Sequence, residues 1–361
     1  MSIPPAPAPL DAADLRPRVQ AVVDDVLAHQ SKLLHEVSDD LAPMVDALTA
    51  LLAGGKRLRP AFCYWGWRGA GGDATLDEAA LRASAGLEFL QACALIHDDV
   101  MDGSDTRRGL PSAHRRFAGV HRDAEWLGSP EAFGIGAAIL LGDLCLSWSD
   151  EVLLTSGFPA DALNRAKAVY DEMRTELMAG QYLDLLEQAR GGGSVERAFR
   201  VVRYKSAKYT IERPLHLGAA LAGADPSVSA AYSGYGLPLG EAFQLRDDVL
   251  GVFGDPGETG KPAGDDLREG KRTILVATAM QRATPEQAAH LREGLGDPHL
   301  GADAIDDLRG IIVATGALDE VELLIGRRTE EAVAALDGAE LEPDARSALE
   351  ELAIAATARS L

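Results

Sequence analysis

The stretch from Gln91 to Gly109, Gln-Ala-Cys-Ala-Leu-Ile-His-Asp-Asp-Val-Met-Asp-Gly-Ser-Asp-Thr-Arg-Arg-Gly, sets the hardest constraint on the fold. Its first half is apolar with helical spacing and runs unbroken into Asp98, Asp99 and Asp102, so carboxylates stand where the pattern predicts a buried face. Such burial is costly without a compensating partner. On a helix, Asp98 and Asp102 project from one side, a turn apart. Their repulsion is relieved by protonation, a basic partner or a divalent cation. Oxygen ligands alone favour Mg²⁺ or Mn²⁺ over zinc, and Mg²⁺ leaves positions for substrate phosphate oxygens. Gly103 loosens the helix, and Arg107 and Arg108 follow in a loop with the fork geometry that suits phosphate. Taken alone, the motif fits an ordinary solvated helix end, neutralised by the two arginines, as well as it fits a polyphosphate site.

A second copy tips that balance. Glu241 to Gly251 is again an apolar helical run ending in paired aspartates, Asp247 and Asp248, followed by Asp255, a Gly/Pro-rich segment with Lys261, then Asp265, Asp266 and Lys271. Two acidic helix ends with trailing cations look like two halves facing one cavity.

The formal charge of −21 argues against nucleic acid as a partner, because phosphate backbones need clustered Lys and Arg. No run of eighteen uncharged apolar residues occurs, and the first residues lack a signal-peptide pattern, so the expectation is a cytoplasmic protein with no membrane span. Cys63, Cys93 and Cys145 are too widely spaced for a zinc site or disulfide framework and read as core residues.

Residues 1–10, rich in Pro and Ala, read as a disordered arm, and 11–361 as a single all-α domain, a bundle of long helices around a central cavity. Helical spacing runs from Asp11 to about Ala53 and meets a glycine turn, Gly54-Gly55-Lys56-Arg57-Leu58-Arg59-Pro60, whose three cations oppose a helix dipole unless an anion binds there. Trp65 and Trp67 read as core. Pro111 to Pro130 reads as a loop with His114 and His121 on the surface, and Gly191 to Gly193 as a turn. Lys205, Ser206 and Lys208 lie within a helical segment and suit either a solvated face or a phosphate. No strand series appears.

With these residues in hand, the chain resembles the trans-type (E-) polyprenyl diphosphate synthases, which join isopentenyl diphosphate to an allylic diphosphate. The match runs from Gly54 past Lys271. The resemblance implies an all-α, usually homodimeric prenyltransferase. It implies that Asp98, Asp99 and Asp102, with Asp247 and Asp248, are the two acidic motifs, and that Asp98, Asp102 and Asp247 ligate Mg²⁺ on the allylic diphosphate. It places Arg107, Lys205, Ser206, Gln244, Lys261 and Lys271 on the allylic substrate (dimethylallyl, geranyl or farnesyl diphosphate). Lys56, Arg59, Gln91 and Arg108 would hold isopentenyl diphosphate. Within the second motif the usual third aspartate is Gly251, with Asp255 a turn on.

Product length depends on the floor of the tail pocket. Behind Asp98, Ala94 and Cys93 lie only ~6 and ~7.5 Å down the helix and are small; Phe89, ~13.5 Å down, is the next bulky stop. That favours geranylgeranyl diphosphate (C20) over farnesyl or longer products. A class I terpene cyclase needs a different second metal motif and has no use for Lys56 and Arg59. A non-catalytic partner subunit has no need of such costly buried charge.

Overall fold

The computed structural model describes residues 14–190, 194–255 and 264–357. The N-terminal arm, the turn at 191–193 and Lys261 lie outside these described residues. The fold is all-α, as the sequence predicts. In chain order the helices are α1 (Leu15–Val37), α2 (Ala42–Leu52), α3 (Leu58–Gly69), α4 (Asp77–Asp102), α5 (Ala113–Asp123), α6 (Pro130–Leu154), α7 (Ala160–Arg190) and α8 (Val195–Val201). A π-helix, Val202–Glu212, then leads into α9 (Arg213–Ala222) and α10 (Pro226–Phe253). Beyond a short helix, Asp265–Arg268, further helices run from Ile274 to Thr357.

Helix α4 is central, packed by α1, α3 and α6. Asp77 and Glu78 in its first turn complement the helix dipole. It stops at Gly103, whose φ of 67° is the left-handed conformation that glycine supplies at a helix end. Small residues let its neighbours close in: Ser149 Oγ on α6 donates to the Gly86 carbonyl at 2.6 Å. The larger core surrounds α4 with Phe62, Trp67, Phe89, Tyr170 and Tyr235. A second core gathers Leu245, Val249 and Val252 of α10 with Ile274, Leu291, Ile312 and Val321. Because α10 contributes to both, its acidic end is fixed relative to α4.

Cys63, Cys93 and Cys145 are buried free thiols, and Trp65 and Trp67 are core, as expected. Three local readings are corrected. The expected loop after Pro111 contains α5, and His114 and His121 are buried rather than surface residues. Helix α5 lays them against α6, where the His121 ring packs on Trp126 and Phe133. A two-residue hairpin, Thr106–Arg107 against Leu110–Pro111, exists despite the missing strand signal; it is too short to leave one. Lys205 sits in a π-helix, not a regular helix.

Two helices, over Ala74–Asp102 and Pro130–Leu154, have the length and hydropathy of a membrane span. Of the first, 78% of the apolar window is buried in the core, against 39% for α6. Phe133, Ile135, Ile139 and Leu140 of α6 stand exposed.

Candidate active site

The end of α4 and the segment that follows α10 converge through one lysine. Lys271 Nζ lies 2.7 Å from Glu269, 3.6 Å from Asp266 and 3.8 Å from Asp102. Ser104 Oγ, just past the end of α4, donates to Glu269 at 2.9 Å and ties the same two regions. Asp266 in turn lies against Gly251 of α10, so the ends of both acidic helices border one space.

Within that space the charges are unequally satisfied. Asp98 accepts from Gln181 Nε2 (2.8 Å) and Lys205 Nζ (3.0 Å), and Lys205 also binds Asp184 (2.6 Å). Burial alone would raise the Asp98 pKa, but Lys205, Lys271 and Arg107 outweigh it and hold it at about 2. Asp102 is in the opposite position: its side chain is only 2% exposed and neither carboxylate oxygen has a hydrogen-bond partner. Burial and the nearby Asp98 push its pKa up to about 6. Asp248 is buried, accepts from Gln244 Nε2 at 2.8 Å and keeps Oδ2 unpartnered. Burial, with Asp266 and Asp247 nearby, raises its pKa well above the ordinary aspartate value.

Unpartnered buried carboxylate oxygens on both motifs fit a hard divalent cation. Among the described residues no three ligating side chains gather into one nest. That suits Mg²⁺, which takes one or two protein carboxylates and completes its shell with water and substrate phosphate. Asp99, by contrast, is turned away into a fork with Arg107, whose Nε donates at 3.0 Å.

The π-helix presents Lys205 and Ser206 because both neighbours make room. A Cβ at Gly180 of α7 would meet the Lys205 backbone, its Cα 2.7 Å away, and one at Gly240 of α10 would meet Ala207. The wider turn of a π-helix is a recurrent device at functional sites.

A second, separate cluster is cationic. Arg108 Nη1 donates to the Leu51 carbonyl at 3.0 Å, and its guanidinium lies over Gly55, next to Lys56. Arg59 stacks on Tyr209 at 4.3 Å and donates to Thr210 Oγ1 at 2.8 Å, while its buried Nε has no partner. Tyr209 donates to Gln91 at 2.8 Å, which brings Gln91 to this group. Burial lowers the Arg108 pKa, and Arg57, Arg107 and Arg59 lower it further. Arg57 is not a surface cation of the glycine turn: it is buried and salt-bridged to Glu88, bracing the turn from behind.

Down α4 from Asp98, Ala94 is partly exposed, whereas Cys93 and Phe89 are fully buried. Phe89 meets the Trp148 ring of α6 edge-on at 6.3 Å. A surface hollow lined by Arg165, Val169 and His216 lies elsewhere, and its Arg165 is already bound to Asp161 and the Ala220 carbonyl.

Residues 42–311 match the family model described as polyprenyl synthetase. The chain belongs to that family. This polyprenyl synthetase is 33% identical over 296 residues to geranylfarnesyl diphosphate synthase of Aeropyrum pernix, covering 80% of this chain and 86% of the relative. It is 32% identical to geranylgeranyl diphosphate synthase of Mycobacterium tuberculosis, over 83% and 79% of the two chains. Among solved structures it resembles geranylgeranyl pyrophosphate synthase of Corynebacterium glutamicum complexed with isoprenyl diphosphate and magnesium. That match has a TM-score of 0.92 and 44% identity, over 96% of this chain and 100% of the other. The enzyme is a prenyltransferase. Sequence reasoning missed Gln181, Asp184, Tyr209 and Thr210 of this synthetase. Gly180, a glycine inside a long helical pattern just before Gln181, was the available signal.

Proposed function

We propose that this prenyltransferase condenses isopentenyl diphosphate with dimethylallyl, geranyl and farnesyl diphosphates in the presence of Mg²⁺, and that its main product is geranylgeranyl diphosphate. The observation that carries this is the pairing of a cationic cluster around Arg59, whose buried Nε has no partner, and Arg108, whose charge is disfavoured by burial and neighbouring arginines, with a metal-hungry one, Asp102 and Asp248, in one molecule. Two diphosphates with different needs match two such clusters; a non-catalytic partner subunit needs neither.

Asp98, Asp102 and Asp247 would hold Mg²⁺, which when bound would supply positive charge for the diphosphate leaving group. Lys205, Arg107 and Lys271 hold fixed positive charge at the same place, where an ionising allylic C–O bond needs it. Asp99 orients Arg107, and Asp184 with Gln181 orients Lys205 and Asp98. The allylic cation is attacked by the double bond of isopentenyl diphosphate, held by Lys56, Arg59, Arg108 and Gln91. A new C–C bond forms, and a proton passes to the departed diphosphate. Ser206 and Gln244 line the allylic side. The tail runs down α4 past Ala94 to a floor at Phe89, which Trp148 backs.

The exposed apolar face of α6, with Ile135, Ile139 and Leu140, supports a homodimer in which that face is covered. Three buried free thiols suit a reducing, cytoplasmic compartment. The test is incubation with Mg²⁺, isopentenyl diphosphate and each allylic primer, with mass spectrometry of the dephosphorylated alcohols. A dominant C20 alcohol is expected. C15, or C30 and longer, would refute the floor at Phe89; no elongation with any primer would refute the activity.

A further inference from the structure

The glycine turn between α2 and α3 takes its shape from residues outside it. Gly54, Gly55 and Arg57 all adopt left-handed backbone, at φ 73°, 110° and 53°. Glycine does so freely, but an arginine there is strained and must be held. Its own side chain does the holding. The buried guanidinium of Arg57 donates to the Leu52 carbonyl at 2.5 Å, to Glu88 of α4 and to Gln20 Oε1 of α1. The Gly54 N–H donates to the same Gln20 oxygen at 3.3 Å. Gln20 Nε2 donates in turn to Asp24 at 2.8 Å, which keeps the amide oxygen toward the turn.

We propose that Gln20, Arg57 and Glu88 form a brace that sets the pose of the turn carrying Lys56 and Arg59, so that Gln20 and Glu88 are positioning residues for isopentenyl diphosphate although both are committed to partners within the protein.

The last two carbonyls of α2, Leu51 and Leu52, belong to the helix-end acceptors that have no partner within the helix. Arg108 takes the first at 3.0 Å and Arg57 the second, so the turn is gripped from two sides. Only Arg108 belongs to the cationic cluster; Arg57 is 4% exposed. The Arg57 carbonyl accepts from Ala61 N–H at 3.0 Å and so opens α3, in whose first turn Arg59 stands. The pose of Arg59 therefore follows from that of Arg57. Glu88 ties the same frame to α4, three residues before Gln91, which reaches the cluster through Tyr209. A carboxylate buried under a cationic cluster repels a diphosphate and cannot ligate it. As a counter-charge it has a use there, since Glu88 favours the charged form of Arg108 against the pull of burial.

This inference rests on the reading of the cationic cluster as the isopentenyl diphosphate site, and the experiment separates the two. Titration calorimetry measures isopentenyl diphosphate, and separately farnesyl thiodiphosphate with Mg²⁺, on wild type, Q20L, Q20E and the double variant R57G/E88Q. Glycine keeps the left-handed backbone at 57, so the double variant removes the brace without adding backbone strain or stranding a charge. Thermal melting of each reports folding, and the double variant carries the test if Q20L does not fold. A wild type that does not bind isopentenyl diphosphate would overturn the site reading itself. With the wild type binding, Q20L is expected to lose about tenfold in affinity for isopentenyl diphosphate, the scale for one hydrogen bond to a charged group. The double variant is expected to lose at least as much. Both should bind the allylic analogue within about twofold of wild type, because its site lies apart from the brace. Q20E keeps an accepting oxygen toward Arg57 and Gly54 and is expected to stay within about threefold of wild type on both ligands. Unchanged isopentenyl diphosphate affinity in Q20L would overturn the proposal, as would a Q20E as weak as Q20L. An equal loss on both ligands would overturn it too, since the three residues would then serve stability alone.

Discussion

Both carboxylate oxygens of Asp102 are buried without a hydrogen bond, which no residue serving stability alone would choose. Replacing Asp102 with Asn removes the charge and keeps the shape. In chelator at pH 7.5 the D102N protein is therefore expected to melt no lower than wild type, and up to about 1 kcal/mol more stable, while losing Mg²⁺-dependent analogue binding. A clear loss of stability in D102N would show that the carboxylate has a structural partner instead. Two other residues bear on product length. Ala94 faces the partly open side of α4, so Ala94→Phe should shorten the product to C15, whereas Phe89→Ala removes the ring against Trp148 and should lengthen it. Mass spectrometry of the alcohols reads both; unchanged C20 in each would move the floor elsewhere.

At the scale of elements, glycine decides which helices touch. Gly218 of α9 packs on the Cys63 carbonyl of α3, and Gly180 of α7 on the Lys205 backbone. Both Gly→Ala changes should cost about 1–3 kcal/mol through overpacking, seen as lower denaturant midpoints. Only G180A should also cut kcat, because only it shifts the π-helix that carries Lys205. An equal loss of kcat in G218A would make that distinction false. Helix α5 gives a pH effect. Burial, with Arg115 nearby, lowers the His114 pKa below its ordinary 6.5. The unfolded chain then binds the proton first as pH falls below 6.5, so this group's penalty is absent above 6.5 and grows below it. H114Q should flatten the fall in Tm between pH 7 and 5; an unchanged slope would exclude His114 as its source.

Across the whole molecule the net charge of −21 sets the background against which anionic substrates must bind. The local clusters reverse it: Lys56, Arg59 and Arg108 form one, and Lys205, Lys271 and Arg107 stand among the carboxylates, with Arg107 and Arg108 adjoining in the chain. The outward face of α6 is the other large-scale feature. Ile139→Arg with Leu140→Glu should convert the proposed dimer to a monomer in sedimentation velocity without unfolding it, since both side chains already face outward. A wild-type monomer would leave that face without the assigned role.

The acidic motifs, their facing cations and the all-α class were legible in the chain because each is a local pattern. Apolar spacing marks the helices, and charged residues interrupting a buried face mark the site. The cations of the glycine turn were legible as a group, but not which of them packs inward. Arg57 and Arg59 look alike in sequence, and only packing buries one against Glu88 and aims the other at Tyr209 and Thr210. Gln181 and Asp184 became visible only when α7 met the π-helix, and the buried His114 and His121 only when α5 met α6. Asp266 and Gly251 show the same limit most plainly. The sequence by itself determined that an aspartate is missing from the second motif. Only the tertiary structure decided what lies against Gly251, because the two residues share no periodic pattern and are joined solely by the fold that brings one carboxylate over the other's bare Cα.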